Sequence, residues 1–166
     1  MTKPFVAILM GSDSDLSTME ETTKILSTFE ISFEIRITSA HRTPEQTSAY
    51  VKDAEKRGCE IFICAAGLAA HLAGFVAAHT LKPVIGVPLE GGLNGLDALL
   101  STVQMPGGVP VACVAIGKAG AKNAGFLSAQ ILALNDPTLQ RCLSEQRQKN
   151  AELIAQKNEA LKAKFA

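Results

Sequence analysis

The strongest constraint on the fold is an alternation of short apolar runs with helical patterns along most of the chain. The first run, Phe5–Met10, is continuously apolar and is followed by a helical pattern over residues 14–29. Later apolar runs cover residues 31–38, 61–66, 83–87 and 109–116, and later helical patterns cover residues 45–57, the stretch that ends at 78, and 121–134. Continuous apolar strands separated by helices indicate a parallel sheet that is buried on both faces.

Right-handed crossovers between such strands give helices on both faces of the sheet. The expected fold class is therefore α/β: a three-layer, doubly wound, flavodoxin- or Rossmann-like sheet of five parallel strands with an extended C-terminal helix. Residues 89–108 depart from the alternation, because five glycines surround a short helical piece, Leu96–Val103. A connection this long is often functional.

The last thirty residues have a different composition from the rest of the chain. They are rich in Lys, Glu, Gln and Ala, with a sparse apolar stripe that includes Leu143, Ile154 and Leu161. We expect a single α/β catalytic domain at 1–135 and a helical tail at 136–166 that packs on its own or a neighbouring subunit. A solvated helix end remains an alternative for the last turns.

Charge and cysteine usage narrow the class of protein. The 166 residues carry 16 basic and 16 acidic side chains, a net charge of zero, so nucleic acid and anionic membranes are not expected partners. The four cysteines form no C-x-x-C pair, and the first residues lack the features of a signal peptide. A reduced, cytoplasmic protein is the expectation.

The first chemical element is the pentapeptide at residues 11–15, which follows the first strand and opens the first helix. Gly11 allows close approach of a ligand, Ser12 offers a hydroxyl, and helix N-termini favour anions. Asp15 repels phosphate but suits a ribose diol, because a carboxylate accepts hydrogen bonds from both hydroxyls. Capping of the helix by Asp13 and Ser14 is the simpler interpretation, and both can hold at once.

The second element is the hexapeptide at residues 39–44, which begins with Ser39 and Ala40. His41 can transfer a proton near neutral pH, and Arg42 can bind phosphate with a planar set of donors. The pair lies at the carboxyl edge of the predicted sheet, where α/β proteins bind ligands. An exposed loop before a helix that starts at Pro44 is an equally good interpretation from these residues alone.

The third element is the small-residue stretch at 65–74, after the third predicted strand. Ala66, Gly67 and Leu72 allow close packing and leave an apolar wall, and His71 lies near the start of the next helix. The positive end of the helix dipole disfavours a charged His71. A substrate contact and a capping or packing role are both open for this residue.

Several motifs that would signal a cofactor are missing from the sequence. It contains no G-x-x-x-x-G-K-[ST], no G-x-G-x-x-G after the first strand, no H-E-x-x-H and no cysteine cluster for zinc. The absence of tryptophan and the single tyrosine make a stacked flavin a poor fit. Cofactor-free, metal-free acid–base chemistry on a phosphorylated sugar derivative is the remaining expectation.

Five motifs occur together in a single order: residues 11–15, 39–44, 69–72, 103–110 and 115–123. In this combination the chain resembles the N5-carboxyaminoimidazole ribonucleotide mutase family of de novo purine biosynthesis, from about residue 5 to residue 134. The resemblance implies an isomerase that moves a carboxylate from the exocyclic nitrogen of 5-carboxyamino-1-(5-phospho-ribosyl)imidazole to ring carbon C4. It also implies that no cofactor is used and that the subunits form an octamer with help from the C-terminal helix.

The same resemblance implies roles for individual residues. Ser12 and Arg42 would contact the phosphate region, Asp15 the ribose hydroxyls, and His41 would be the acid–base residue. The full set of expected substrate-binding residues is Gly11, Ser12, Asp15, Ser39, Ala40, Arg42, Ala66, Gly67 and Leu72. Our hypothesis is that His41 protonates the carbamate nitrogen and later removes the C4 proton, while His71 orients the substrate.

The chain departs from the family pattern at a few positions. Glycine is usual where Ala65 and Leu68 stand, and proline where Ala73 stands, so the carboxylate pocket is expected to have its own shape. The runner-up activity is direct carboxylation of aminoimidazole ribonucleotide with carbon dioxide, although the related class that does this carries lysine where Arg42 stands. A flavodoxin-like binding module without catalysis is the competing class of function.

Overall fold

The computed structural model describes residues 4–165, and a five-stranded parallel sheet forms the centre of its larger part. The strands are β1 (Phe5–Met10), β2 (Ser32–Ile37), β3 (Cys59–Ala66), β4 (Val84–Pro88) and β5 (Ala112–Cys113). They lie in the order β2-β1-β3-β4-β5, and every neighbouring pair is parallel. The predicted doubly wound α/β class is therefore confirmed.

Six α-helices alternate with or follow the strands within the described residues. They are α1 (Leu16–Thr28), α2 (Pro44–Lys56), α3 (Leu72–Ala77), α4 (Leu96–Val103), α5 (Gly117–Ala133) and α6 (Pro137–Phe165), with a short 3-10 turn at Asp13–Asp15 before α1. Helix α2 starts with Pro44, whose fixed φ angle and missing N–H suit the first helical position.

Strand β1 shows why its sequence is apolar without alternation. Ala7 and Leu9 belong to a buried cluster with Val51 of α2 and Val76 of α3 on one face of the sheet. The residues between them are equally buried, so both faces of the strand are covered. On α1, the Thr22 hydroxyl donates to the Ala121 carbonyl oxygen of α5 at 2.7 Å, which ties these two helices together.

Two strands differ from the sequence expectation. Strand β2 lies at the edge of the sheet, and Ile35 and Ile37 are exposed there, so it is not buried on both faces as predicted. Strand β5 was predicted over residues 109–116, but only Ala112 and Cys113 pair with β4. Pro110 has no N–H to donate to a neighbouring strand, which shortens β5 from its N-terminal side.

The register of the central strands brings three loops to the same level. Met10, the last residue of β1, is opposite Ile37 of β2 on one side and Ala65 of β3 on the other. The strand order changes direction at β1, because the chain places β2 on one side of it and β3 on the other. Crevices at such a point, beyond the carboxyl ends of the strands, are where α/β proteins bind ligands.

The described residues divide into two compact units, one that ends at Ser128 and one that begins at Ala129. Within the second unit, α6 is a helix of 29 residues whose exposed apolar side chains include Leu153, Ile154 and Leu161. Among residues 4–165, no helix combines the length and the apolar character that a membrane crossing requires.

Candidate active site

Two histidines meet at the carboxyl edge of the sheet. Nε2 of His41, in the loop after β2, lies 2.8 Å from Nδ1 of His71, which precedes α3. The ring centroids are 5.0 Å apart, and the rings are nearly perpendicular. A hydrogen bond at this distance requires one ring nitrogen to donate and the other to accept, so the pair is positioned to hold or pass a proton.

The loop that carries His41 is held by its own hydroxyl groups. The Ser39 Oγ accepts hydrogen bonds from the backbone N–H groups of His41 and Arg42, at 3.3 and 3.1 Å. The Ser39 N–H donates to Thr43 Oγ1 at 3.0 Å, and Thr47 contacts the Ser39 carbonyl from helix α2. These bonds fix the turn that presents the imidazole and the guanidinium to the cavity.

The loop after β1 ends in a capping box. Ser12 is the N-terminal cap, its Oγ accepts from the Ser14 N–H at 3.3 Å, and the Asp15 carboxylate accepts from the Ser12 N–H at 3.1 Å. Capping therefore falls to Ser12 and Asp15 rather than to Asp13 and Ser14, because a capping box pairs residues three apart. Partial burial of the Asp15 carboxyl raises its pKa above the usual range.

Arg42 spans the space between the loops after β1 and β2. Its Nη2 donates to the Gly11 carbonyl oxygen at 3.5 Å, while the side chain stays exposed. Ser12, the next residue, is thereby brought to the same place as the guanidinium. A hydroxyl, a guanidinium and the start of a helix together form a site that suits a phosphate group.

The loops after β3 and β4 form the other side of the site. Gly67 lies so close to the second loop that a methyl group on its Cα would be 3.6 Å from the Leu89 carbonyl oxygen. The next residue, Leu68, has a φ of 55°, in the left-handed region that a leucine rarely adopts. Ala66 and Leu72, which flank this turn, have apolar side chains and line the cavity.

These loops surround a cavity of about 670 Å³. All the residues named from the sequence line it: Gly11, Ser12, Asp15, Ser39, Ala40, His41, Arg42, Ala66, Gly67, His71 and Leu72. The remaining lining residues, which were not among the predicted site residues, are Ser14, Thr38, Leu68, Ala69, Glu90 and Gly91. Of these, Leu68 was expected from the sequence to shape the pocket, and it does line it. Glu90 and Gly91 follow the end of β4, and this position at the sheet edge was the available signal for them.

A larger cavity of about 930 Å³ lies by the start of β4, next to Val84 and His79. Two of its charged lining residues have partners, because Lys82 pairs with Glu60 at 2.8 Å and Glu55 accepts a hydrogen bond from Thr80. The histidine pair and Arg42 belong to the smaller cavity. Within residues 4–165, no three His, Cys, Asp or Glu side chains come together as metal ligands would.

A doubly wound parallel sheet with a histidine pair and an anion-binding corner at its carboxyl edge defines an α/β protein equipped for acid–base chemistry. The family model described as AIR carboxylase matches residues 5–153. The chain belongs to the AIR carboxylase family.

Individual relatives are similar to this chain over nearly its full length. The N5-carboxyaminoimidazole ribonucleotide mutase of Bacillus subtilis is 49% identical over 160 residues, which cover 96% of this chain and 99% of the relative. The mutase of Thermotoga maritima is 52% identical over 159 residues, which cover 95% and 92%. The crystal structure of Treponema denticola PurE superposes with a TM-score of 0.86 at 34% identity and covers 96% of this chain and 99% of that one.

Proposed function

We propose that this protein is an isomerase of purine biosynthesis that converts 5-carboxyamino-1-(5-phospho-ribosyl)imidazole to 5-amino-1-(5-phospho-ribosyl)imidazole-4-carboxylate. The observation that carries the proposal is the His41–His71 pair, which lines the same cavity as Arg42. A proton carrier beside an anion site is what carboxylate transfer on a phosphorylated ribonucleotide requires.

The phosphate end of the substrate binds between Arg42 and the Ser12 loop. The guanidinium supplies planar donors, and the start of the first helical turn supplies oriented N–H groups. Asp15 receives the ribose hydroxyls at Oδ1, where they replace a long 3.4 Å hydrogen bond from the Ser14 hydroxyl, while Oδ2 keeps its bond to the Ser12 N–H. These assignments leave the imidazole ring to extend towards His41.

The reaction proceeds by decarboxylation, capture and recarboxylation. Protonation of the carbamate nitrogen by His41 breaks the N–C bond, and this releases carbon dioxide and aminoimidazole ribonucleotide. C4 then attacks the carbon dioxide, and His41 removes the C4 proton, which restores aromaticity without net proton change. The apolar wall formed by Ala66, Gly67 and Leu72 keeps the neutral gas near C4 and excludes water.

His71 acts through His41 in this scheme. Its Nδ1 lies within hydrogen-bonding distance of His41 Nε2, so it fixes the tautomer and the direction of that ring. The sequence-based hypothesis gave His71 the task of orienting the substrate. The contact between the rings favours orientation of His41 instead.

The decisive experiment compares turnover of two candidate substrates. Freshly prepared carboxyamino isomer should give the 4-carboxylate at a rate far above its spontaneous decay. Aminoimidazole ribonucleotide with bicarbonate should give little product in the same time. The reverse preference would indicate direct carboxylation, and no turnover with either would favour a binding module without catalysis.

We further propose that the enzyme is cytoplasmic and works as an oligomer, an octamer by family resemblance. All four cysteines are free, as expected of a reducing compartment. Residues 1–135 would form the catalytic domain, and the tail at 136–166 would contribute to assembly. The exposed apolar side chains of α6 support this role, because water does not stabilise such a surface on a lone helix.

A further inference from the structure

Leu68 combines an unusual backbone conformation with an unusual location. Its φ of 55° lies in the left-handed region, and its side chain is 61% exposed at the rim of the cavity. Non-glycine residues keep such a conformation only where the surrounding structure imposes it, and these residues concentrate at functional sites. The conformation and the position at the cavity together single out Leu68 among the residues that line it.

The Leu68 side chain crosses from its own loop to the loop after β4. A methyl group on the Gly91 Cα would lie 3.3 Å from Leu68 Cδ2, and one on the Gly92 Cα would lie 3.5 Å from the same atom. The leucine therefore fits against two residues that have no side chains. This packing places a branched apolar group across the gap between the two loops.

The gap is bordered by both charged and apolar groups. Glu90 lines the cavity beside Gly91, and a methyl group on the Gly92 Cα would lie 3.1 Å from Asp97 Oδ2, whereas the β3 loop contributes Ala66, Gly67 and Leu72. Leu68 is the apolar side chain nearest to both glycines, so its removal would widen the gap between the two loops. An apolar group here does not bind a charged carboxylate, but it does block the exit of a neutral molecule.

We propose that Leu68 retains carbon dioxide in the cavity during the reaction. The inference rests on the proposed function, since it concerns the intermediate of that reaction. After protonation of the carbamate nitrogen, two outcomes compete. In one, C4 captures the carbon dioxide and loses its proton to His41. In the other, the gas escapes and hydrates to bicarbonate, and aminoimidazole ribonucleotide is released.

The experiment measures what fraction of the carbon dioxide is captured by C4 and what fraction escapes. Carboxyamino isomer carrying ¹³C in its carbamate carboxyl is converted by excess enzyme in unlabelled bicarbonate with carbonic anhydrase. The ¹³C content of the product and the amount of released aminoimidazole ribonucleotide are then measured, and spontaneous decay is measured in parallel without enzyme. We expect the wild type to retain most of the label and Leu68→Ala to lose at least severalfold more of it.

Two further variants separate retention from backbone effects. Leu68→Gly also removes the side chain but accepts the positive φ without strain, so it should lose as much label as Leu68→Ala while being the more stable of the two. Leu93→Ala is the matched control. Leu93 also has a positive φ of 45° and is 76% exposed, but it does not line the cavity, so its variant should retain label as the wild type does.

Unchanged label retention in both Leu68 variants overturns the inference, and so does poor retention by the wild type. Loss of all turnover in two folded Leu68 variants also overturns it, because the side chain would then serve catalysis itself. A wild type that does not convert the labelled isomer at all refutes the proposed function, together with the inference that depends on it.

Discussion

Nε2 of His41 lies 2.8 Å from Nδ1 of His71, although the two residues belong to loops that follow different strands. The space between these nitrogens holds only one hydrogen, so one nitrogen donates and the other accepts. Each histidine then has a distinct experimental consequence.

Replacement of His41 by Asn should lower kcat by about 10²–10⁴-fold, since it removes the group that gives and takes the proton. Steady-state formation of the 4-carboxylate measures this loss, and calorimetric titration with the product measures binding, which should stay near the wild-type value. His79→Asn is the matched control, because His79 bonds to the Phe75 carbonyl oxygen outside the cavity. Near-full turnover by His41→Asn with normal binding would falsify its assigned role.

Replacement of His71 by Phe keeps an aromatic ring but removes the partner of His41 Nε2. We expect kcat to fall roughly tenfold, which corresponds to the loss of one ordinary hydrogen bond. KM should stay near the wild-type value, because His71 acts on the His41 ring through the 2.8 Å contact. His71→Gln, which can still donate or accept, should recover part of the rate. A rise in KM with an unchanged kcat would instead point to direct substrate contact.

Replacement of Arg42 by Ala should raise KM by roughly 10- to 100-fold, the loss expected for a charged hydrogen-bonded contact. The effect on kcat should be smaller, because phosphate binding contributes equally to the ground state and the transition state. Arg36→Ala provides a control with the same loss of charge. Arg36 lies over the Tyr50 ring, away from the cavity, so its variant should keep the wild-type KM.

Replacement of Glu34 by Gln should lower the thermal midpoint by about 2–4 °C at pH 7. Hydrogen bonds from Arg57, with a further one from Tyr50, lower the pKa of Glu34 below its usual value of 4.5. A lowered carboxyl pKa contributes stability above the unfolded-state pKa, and this contribution disappears as the pH falls through the folded-state pKa. The carboxylate is partly exposed, so solvent keeps the effect small.

The measurement is the difference in melting temperature between wild type and Glu34→Gln across the acid range. The two proteins should converge as the pH drops below about 4. A difference that stays constant with pH would mean that the substitution acts through packing instead of charge.

Replacement of Ile154 and Leu161 on α6 by Lys should reduce the number of subunits in the oligomer, because both residues are exposed apolar side chains on the proposed contact helix. Light scattering after size-exclusion chromatography reports the mass directly. Gln156→Lys, on the same helix, adds a charge at a polar exposed position and should leave the mass unchanged. A wild type that runs as a monomer would contradict the proposal before any variant is compared.

The sheet and its order of elements could be predicted from the sequence because strands such as β1 are covered on both faces. The length of β5 could not be predicted, because the apolar run at 109–116 does not show that only two of its residues pair with β4. Its pairing with β4 stops at Gly86, two residues before β4 ends, and Gly86 is closely packed by Thr102 and Val111.

The members of the site were predictable, but their contacts were not. His41 follows β2 and His71 precedes α3, and the carboxyl ends of parallel strands meet at one edge of the sheet. The two histidines are therefore expected at the same edge. The 2.8 Å contact between them depends on two loop conformations, one set by Ser39 and the other passing through Leu68. A positive φ at a leucine runs against its intrinsic preference, so no local rule predicts it.

The capping box after β1 has a consequence for affinity. The Ser12 N–H already donates to Asp15, and the Ser14 N–H already donates to Ser12 Oγ. A phosphate that arrives here exchanges existing partners for its own oxygens instead of filling empty donors, so its binding gain is the difference between two satisfied states. Selection among anions must then come from the shape of the site and from the guanidinium of Arg42. The site would therefore be selective among anions without binding any of them with high affinity.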